Sequence, residues 1–270
     1  WDYITLSSGV NRPQIKHLAK LYMDAKNVVF TWSMGITQHV HGVENVESIV
    51  NLALLRGMIG KKNAGLLPLR GHSNVQGIGS MGVTPELKKK ILFNFEKKMG
   101  INVPNSMGLD TMGCLKASYN HKMDFAFLLG GNLFAATPNA KFAEQAFHNI
   151  PFKVFVSTTL NQSHFFGVGE ETVILPAAAR DEEKQPTTQE SMFNFVRISD
   201  GGIVRLSNVK SEVDIITDIA TGVLGNKKID FSAFKKHQDI RKAIGHIIPG
   251  FDKMSEIDGT KEEFQISNRT

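Results

Sequence analysis

The run Asn63-Ala64-Gly65-Leu66-Leu67-Pro68-Leu69-Arg70-Gly71-His72-Ser73-Asn74-Val75-Gln76-Gly77 sets one permanent cation, Arg70, among glycines, small polar side chains and backbone N–H donors. A guanidinium carries a fixed planar fork of donors, and glycine lets a ligand approach the main chain closely. Together they suit an anion that side chain and backbone must both touch. His72, two residues on, could hydrogen-bond or titrate beside it.

Three other polar stretches each follow a short apolar run that reads as a buried strand. Gly35, Thr37 and Gln38 follow Val28–Trp32. Gly130, Gly131 and Asn132 follow Phe125–Leu129. Ser157, Thr158 and Asn161 come at the end of Phe152–Ser157. Ligands of open α/β sheets bind at the carboxyl ends of strands. Hydroxyls, amides and free N–H groups there suit phosphate, ribose or a nucleobase. One such loop is common in α/β proteins; three favour a nucleotide-like ligand.

Other motifs carry less. Gly77-Ile78-Gly79-Ser80-Met81-Gly82 spells a dinucleotide fingerprint, but the residues ahead of it, His72 to Gln76, are polar and loop-like rather than a strand. A nicotinamide site is rejected on that ground, and the glycines are read as letting the backbone pass close to a large ligand or a neighbouring strand. His39-Val40-His41 lacks a third ligand at a metal-like spacing, so hydrogen-bonded loop histidines are expected. His164 fits a ligand contact or simple packing equally well. Cys114, the single cysteine, excludes an internal disulfide framework and an iron–sulfur cluster or Cys-rich zinc site on this chain, and reads as a buried inert thiol.

The elements that must position these residues alternate between helix and strand, which predicts an α/β fold of layered, mostly parallel sheets with flanking helices. Helices are expected over about Arg12–Ala25, Val43–Arg56, Thr84–Met99, Leu109–Tyr119, Ala140–His148, Ser211–Leu224 and Phe231–Ile247. Thr84 is expected to cap its helix and Gly100 to close it. Val43–Arg56 is apolar on several sides and reads as a core helix. A short strand is expected at Val173–Leu175, and Arg180–Asn194 reads as a surface loop.

The 270 residues carry a formal charge of +5, with 41% hydrophobic and 21% charged residues, an ordinary globular composition. Lysine clusters such as Lys88-Lys89-Lys90 have no interleaved aromatics, so nucleic acid is not an expected partner. No apolar run is long enough to span a bilayer, and a cytoplasmic location is expected. The chain starts at Trp1, not Met, and reads as processed or, in preference, excised from something longer.

Two stretches resemble the molybdopterin oxidoreductases, specifically the catalytic subunit of formate dehydrogenases. The first runs through Ser33-Met34-Gly35-Ile36-Thr37-Gln38, Asn51-Leu52-Ala53-Leu54-Leu55-Arg56-Gly57, Ile59-Gly60 and Ala64–Gly77 to Met81-Gly82. The second is Phe127-Leu128-Leu129-Gly130-Gly131-Asn132 with Thr172-Val173-Ile174-Leu175-Pro176-Ala177. The likeness covers about Ser8 to Asp200. It implies a bis(molybdopterin guanine dinucleotide) cofactor carrying molybdenum or tungsten, held by two α/β domains. Residues 1–71 would close one of these domains and residues 72–270 would form most of the other.

By the same resemblance, Arg70 lies beside the metal and orients a small anionic substrate. Gly35, Thr37, Gln38, Gly71, His72, Asn74, Gln76, Gly130, Gly131, Asn132, Ser157, Thr158 and Asn161 would contact the pterin dinucleotides. The metal-ligating residue and any iron–sulfur cluster would lie on the remaining domains of a parent chain, which would also meet an electron-transfer partner. The isolated fragment would be inactive. Departures from the formate-type pattern, His72 for Gln and Gly131-Asn132 for an acidic pair, mark a divergent branch. Two rival readings are a non-catalytic nucleotide-binding or scaffold module of the same fold and, less favoured, the middle domain of a thiamine-diphosphate enzyme, which has no use for the Arg70 run.

Overall fold

The structure, a computed structural model, describes residues 1–69, 72–104, 106–225 and 228–266. The chain forms two compact units, Trp1–Ser73 and Asn74–Thr270.

The first unit runs α1 (Asp2–Ser8), α2 (Arg12–Asp24), β1 (Val29–Trp32), α3 (Met34–Thr37), α4 (Gly42–Leu55) and β2 (Gly65–Pro68). A capping box opens α2. Asn11 Oδ1 accepts from the Gln14 N–H at 3.0 Å, Gln14 Oε1 accepts from the Asn11 N–H at 3.1 Å, and Pro13 occupies the first turn. β1 and β2 pair in parallel, Val29 opposite Gly65, so α3 and α4 form the crossover between them. Tyr22 ties the layers together. Its hydroxyl donates to Leu52 O at 2.6 Å and its ring meets Phe30 edge-on. The Arg56 guanidinium closes the C-terminus of α2 by donating to Tyr22 O and Ala25 O.

β2 lies inside the glycine-punctuated run 63–77, for which the sequence predicts no strand. α4 is not a core helix: Val43 and Leu55 are exposed, and only Gly42 and Ala53 are buried. A two-stranded sheet is too narrow to cover more than one stripe of a helix, so the remaining apolar sides of α4 stay open within this unit.

The second unit opens with α5 (Val75–Ser80), α6 (Lys89–Met99) and α7 (Thr111–Tyr119). Then come β3 (Phe125–Leu129), α8 (Leu133–Ala136), α9 (Ala140–His148), β4 (Phe152–Ser157), α10 (Ser163–Phe166) and β5 (Glu171–Pro176). The three strands make a parallel sheet in the order β3-β4-β5, Leu129 opposite Val156 and Val156 opposite Leu175. On one face Leu128 packs against a cluster of Leu115, Phe134, Ala143, Ala146 and Phe147 from α7, α8 and α9. On the other, Val156 and Ala177 pack on Ile215. The central strand is therefore buried from both sides, the environment of a parallel sheet.

The chain finishes with β6 (Thr187–Glu190), β7 (Phe195–Ser199), α11 (Glu212–Leu224), α12 (His237–Ile247), α13 (Ile257–Thr260) and β8 (Phe264–Gln265). β6, β7 and β8 form a small antiparallel sheet, which packs with α6 and α12 around Ile91, Val196, Ile247, Phe251, Met254 and Phe264.

Several expectations need correction here. α6 starts at Lys89, because Lys88 is extended and Thr84 turns its hydroxyl to Glu86 O at 2.7 Å instead of capping. Arg180–Asn194 is not simply a loop. It holds a single 3-10 turn at Arg180–Glu182 and all of β6, whose partner β7 supplies the pairing that polar composition hides. The last helix divides at Lys236, whose backbone is extended, into a 3-10 turn at Phe231–Lys235 and α12. Gly77 and Gly79 lie inside α5, which begins before them. A Cβ on Gly77 would sit 2.2 Å from Asn74 Oδ1, so this glycine admits a neighbouring side chain.

Candidate functional site

In the second unit the chain turns sharply at the carboxyl ends of β3 and β4. Gly130 and Gly131 adopt φ of 66° and 73°, a left-handed pair that side chains resist. Among the described residues, no atom beyond the chain neighbours lies within 4 Å of a Cβ built on either, so the conformation, not crowding, demands glycine. Gly130 N–H donates to Val156 O at 2.8 Å, which joins the turn to the next strand.

Asn132 follows as the N-cap of α8, its Oδ1 accepting from the Ala135 N–H at 3.3 Å. The same oxygen accepts from the Ser163 hydroxyl at 2.8 Å, and Ser163 Oγ in turn accepts from the Phe134 N–H at 3.2 Å. Asn161 reaches across the gap. Its Nδ2 donates to Gly131 O at 2.9 Å, and its Oδ1 accepts from the Ser163 N–H at 3.0 Å.

Beneath this lattice lies His164, buried against Phe155 with ring centroids 4.9 Å apart. Its Nε2 is 3.0 Å from Ser157 Oγ, and its Nδ1 accepts from the Asn161 N–H at 2.8 Å. Six of the residues picked out by sequence, Gly130, Gly131, Asn132, Ser157, Thr158 and Asn161, are thus brought to one edge of one sheet. Ser163 and His164 hold them there. Sequence alone assigns Ser163 no site role and leaves His164 between a ligand contact and simple packing, although Asn161-Gln162-Ser163-His164 is a polar cluster directly after a buried strand.

In the first unit, Gly35 and Thr37 lie in α3 at the carboxyl end of β1, and the Gln38 N–H donates to Met34 O at 2.7 Å. All three are exposed. A Cβ on Gly42 would stand 2.3 Å from Thr37 O, so the start of α4 presses on this turn and fixes it. Asn45 Nδ2 adds a bond to Ile36 O at 3.2 Å. Leu69, just past the end of β2, donates to Trp32 O at 2.7 Å, so both strands end at the same edge. Arg70 and Gly71 lie outside the described residues.

His72 is exposed. Asn74, at φ 60°, stands at the N-cap position of α5, and its Oδ1 accepts from the Glu190 N–H at 2.9 Å rather than capping the helix, which ties α5 to β6; Gln76 is buried in α5. His39 Nδ1 accepts from the His41 N–H at 3.0 Å, the local bonding expected of that pair. Among the described residues no cluster of three or more His, Cys, Asp or Glu could hold a metal. Cys114 is half-buried.

The donor set at the β3–β4 edge fits a phosphate-bearing ligand. None of its six residues is acidic, and Thr158 is exposed. Among the described residues, nothing accepts from the N–H groups of Gly131 or Thr158. No helix of the described residues is long and apolar enough to cross a membrane.

The family profile of the molybdopterin oxidoreductases matches residues 10–221. An uncharacterized oxidoreductase of Mycobacterium bovis is 33% identical over 98% of this chain and 35% of its own length. Protein YdeP of Escherichia coli K12 is 32% identical over 93% of this chain and 34% of its own. The alpha subunit of a formate dehydrogenase of Methanocaldococcus jannaschii is 33% identical over 67% of this chain and 27% of its own. The chain spans about a third of the length of the first two relatives. With a layered α/β fold, polar strand-end loops and a family match over most of its length, this chain belongs to the molybdopterin oxidoreductases, and formate dehydrogenases are among its relatives.

Proposed function

We propose that the chain is the central portion of a molybdenum- or tungsten-dependent oxidoreductase that holds bis(molybdopterin guanine dinucleotide) and acts on a small anion, formate-type first. One observation carries this reading: the loops after β3 and β4 converge, with a left-handed glycine pair, unclaimed N–H groups and no carboxylate. When bound, the metal–pterin group supplies the redox chemistry.

The chain's own residues bind and orient. The N–H groups of Gly131 and Thr158 donate to phosphate oxygens. Asn132 Oδ1 is already engaged by Ser163 and Ala135, so its Nδ2 is the group available to a ligand. Gly35, Thr37 and Gln38 serve the other dinucleotide. Gly71 and His72 line the pterin, and Asn74 and Gln76 are assigned to the cofactor as well. Arg70 clamps the substrate anion through two parallel N–H bonds. The remaining domains of the parent complete the site and meet the electron-transfer partner, in the cytoplasm.

The test is Gly131→Val in the full-length parent, with Gly9→Val as control. Both glycines have a left-handed φ, 73° and 67°, and open space where a Cβ would project, but Gly9 closes α1, far in sequence from any candidate loop. Gly131→Val should retain about tenfold less guanine nucleotide, and Gly9→Val as much as wild type. Equal retention in both would remove the β3–β4 edge from the binding site.

A further inference from the structure

The buried His164 touches both halves of the turn after β4, Ser157 on one side and Asn161 on the other. Backbone N–H groups only donate, so the 2.8 Å contact with the Asn161 N–H leaves Nδ1 without a proton. The ring hydrogen is therefore on Nε2, and it donates to Ser157 Oγ at 3.0 Å. Ser157 must then turn its own hydrogen elsewhere. The residue is buried, and among the described residues no acceptor takes that hydrogen. Asn161, held by His164 at its N–H, carries the constraint across to Gly131 O through its side chain.

We propose that His164 is a positioning residue. It polarises Ser157 as a donor toward an anionic oxygen, and through Asn161 it locks the left-handed turn of Gly131, so that hydroxyl and peptide N–H address one phosphate group. The ligand assignment rests on the dinucleotide reading above. The lock itself does not, since it is made entirely of protein atoms. Simple packing of an aromatic ring would need neither nitrogen placed as it is.

Four variants of the full-length parent separate these roles. His164→Gln keeps a donor near Ser157. His164→Asn keeps an acceptor near the Asn161 N–H. His164→Phe keeps only the volume, and Ser157→Ala removes only the polarised hydroxyl. Two quantities are read: guanine nucleotide released per polypeptide on acid denaturation, and hydrogen exchange of the peptide spanning 158–164. Exchange there should quicken about tenfold in His164→Phe and stay near wild type in His164→Asn, since one lost buried hydrogen bond is of that order. Nucleotide should fall about tenfold in His164→Phe and Ser157→Ala, and less in His164→Gln. Unchanged exchange and nucleotide in His164→Phe would overturn the proposal. If the wild-type parent itself releases no guanine nucleotide, the dinucleotide reading fails and with it the role given to Ser157. The lock is then judged by exchange alone, and stands or falls on the difference between His164→Phe and His164→Asn.

Discussion

The Ser163 hydroxyl donates to Asn132 Oδ1 at 2.8 Å, so the N-cap of one short helix is held by the first residue of another. Neither α8 nor α10 exceeds four residues, too short to be stable alone. Their order comes from this contact and from the Phe134 N–H to Ser163 Oγ bond. Ser163 is 2% exposed, so water cannot take over the partners it leaves. Ser163→Ala should cost about 1–3 kcal/mol, read as faster hydrogen exchange in residues 130–136 with little change around α12. Equal acceleration in both regions would mean that the bond stabilises the whole unit rather than the turn.

Arg241 grips Asp258 through Nε and Nη2, one edge of its guanidinium, and its Nη1 donates to Pro186 O at 2.8 Å, tying α12 and α13 to the chain ahead of β6. With Arg241 only 4% exposed, Asp258→Ala strands a buried cation. The expected loss is about 3–5 kcal/mol, measured by chemical denaturation, whereas replacing the pair together with Arg241→Met and Asp258→Leu should recover much of it. A double variant as unstable as Asp258→Ala would show that the stranded charge is not the cause.

Lys153, fully buried in β4, donates to Phe147 O and Ile150 O, each at 2.6 Å, and so satisfies carbonyls at the end of α9. Burial lowers its pKa from 10.5 to about 8. The native state therefore gives up this proton near pH 8, and the unfolded chain holds it to about 10.5. Between those limits the unfolded state binds more protons, so raising the pH favours folding, by up to about 3 kcal/mol from this group. Subtracting the Lys153→Met profile from wild type isolates the effect. A difference that stays flat or falls between pH 8 and 10 would contradict it.

Much of this was legible in the sequence, for identifiable reasons. Phe152–Ser157 and Ala140–His148 have the expected bounds because each is strongly patterned and sharply punctuated, Asn139 capping α9. Gly100 closes α6 in the left-handed conformation that its position implied. β6, in contrast, is the polar run Thr187–Glu190; its strand character comes from Val196 and its neighbours across the ladder, which no local pattern records. At the site, composition pointed to the glycines and amides and left His164 between a ligand contact and simple packing. A single histidine in a polar cluster looks the same whether exposed or buried, and only the fold brings Ser157 to its Nε2.

Arg70→Lys in the intact parent should retain metal and pterin but lose turnover by about a hundredfold, roughly 3 kcal/mol of transition-state stabilisation. An ammonium keeps the charge and lacks the planar fork that pairs with a carboxylate or oxoanion. Steady-state kinetics set beside cofactor content separates the two effects. Full activity would rule out the clamp, and lost cofactor would move Arg70 from substrate to pterin.

The central claim, that this α/β region grips a metal-bearing pterin dinucleotide, is met most directly by analysing the purified full-length parent for molybdenum and tungsten, for fluorescence of the oxidised pterin, and for guanine nucleotide released by acid. The expected ratio is one metal to two pterins to two guanine nucleotides per polypeptide. A well-folded parent, expressed in a host that makes the cofactor, that carries neither pterin nor guanine nucleotide would contradict it.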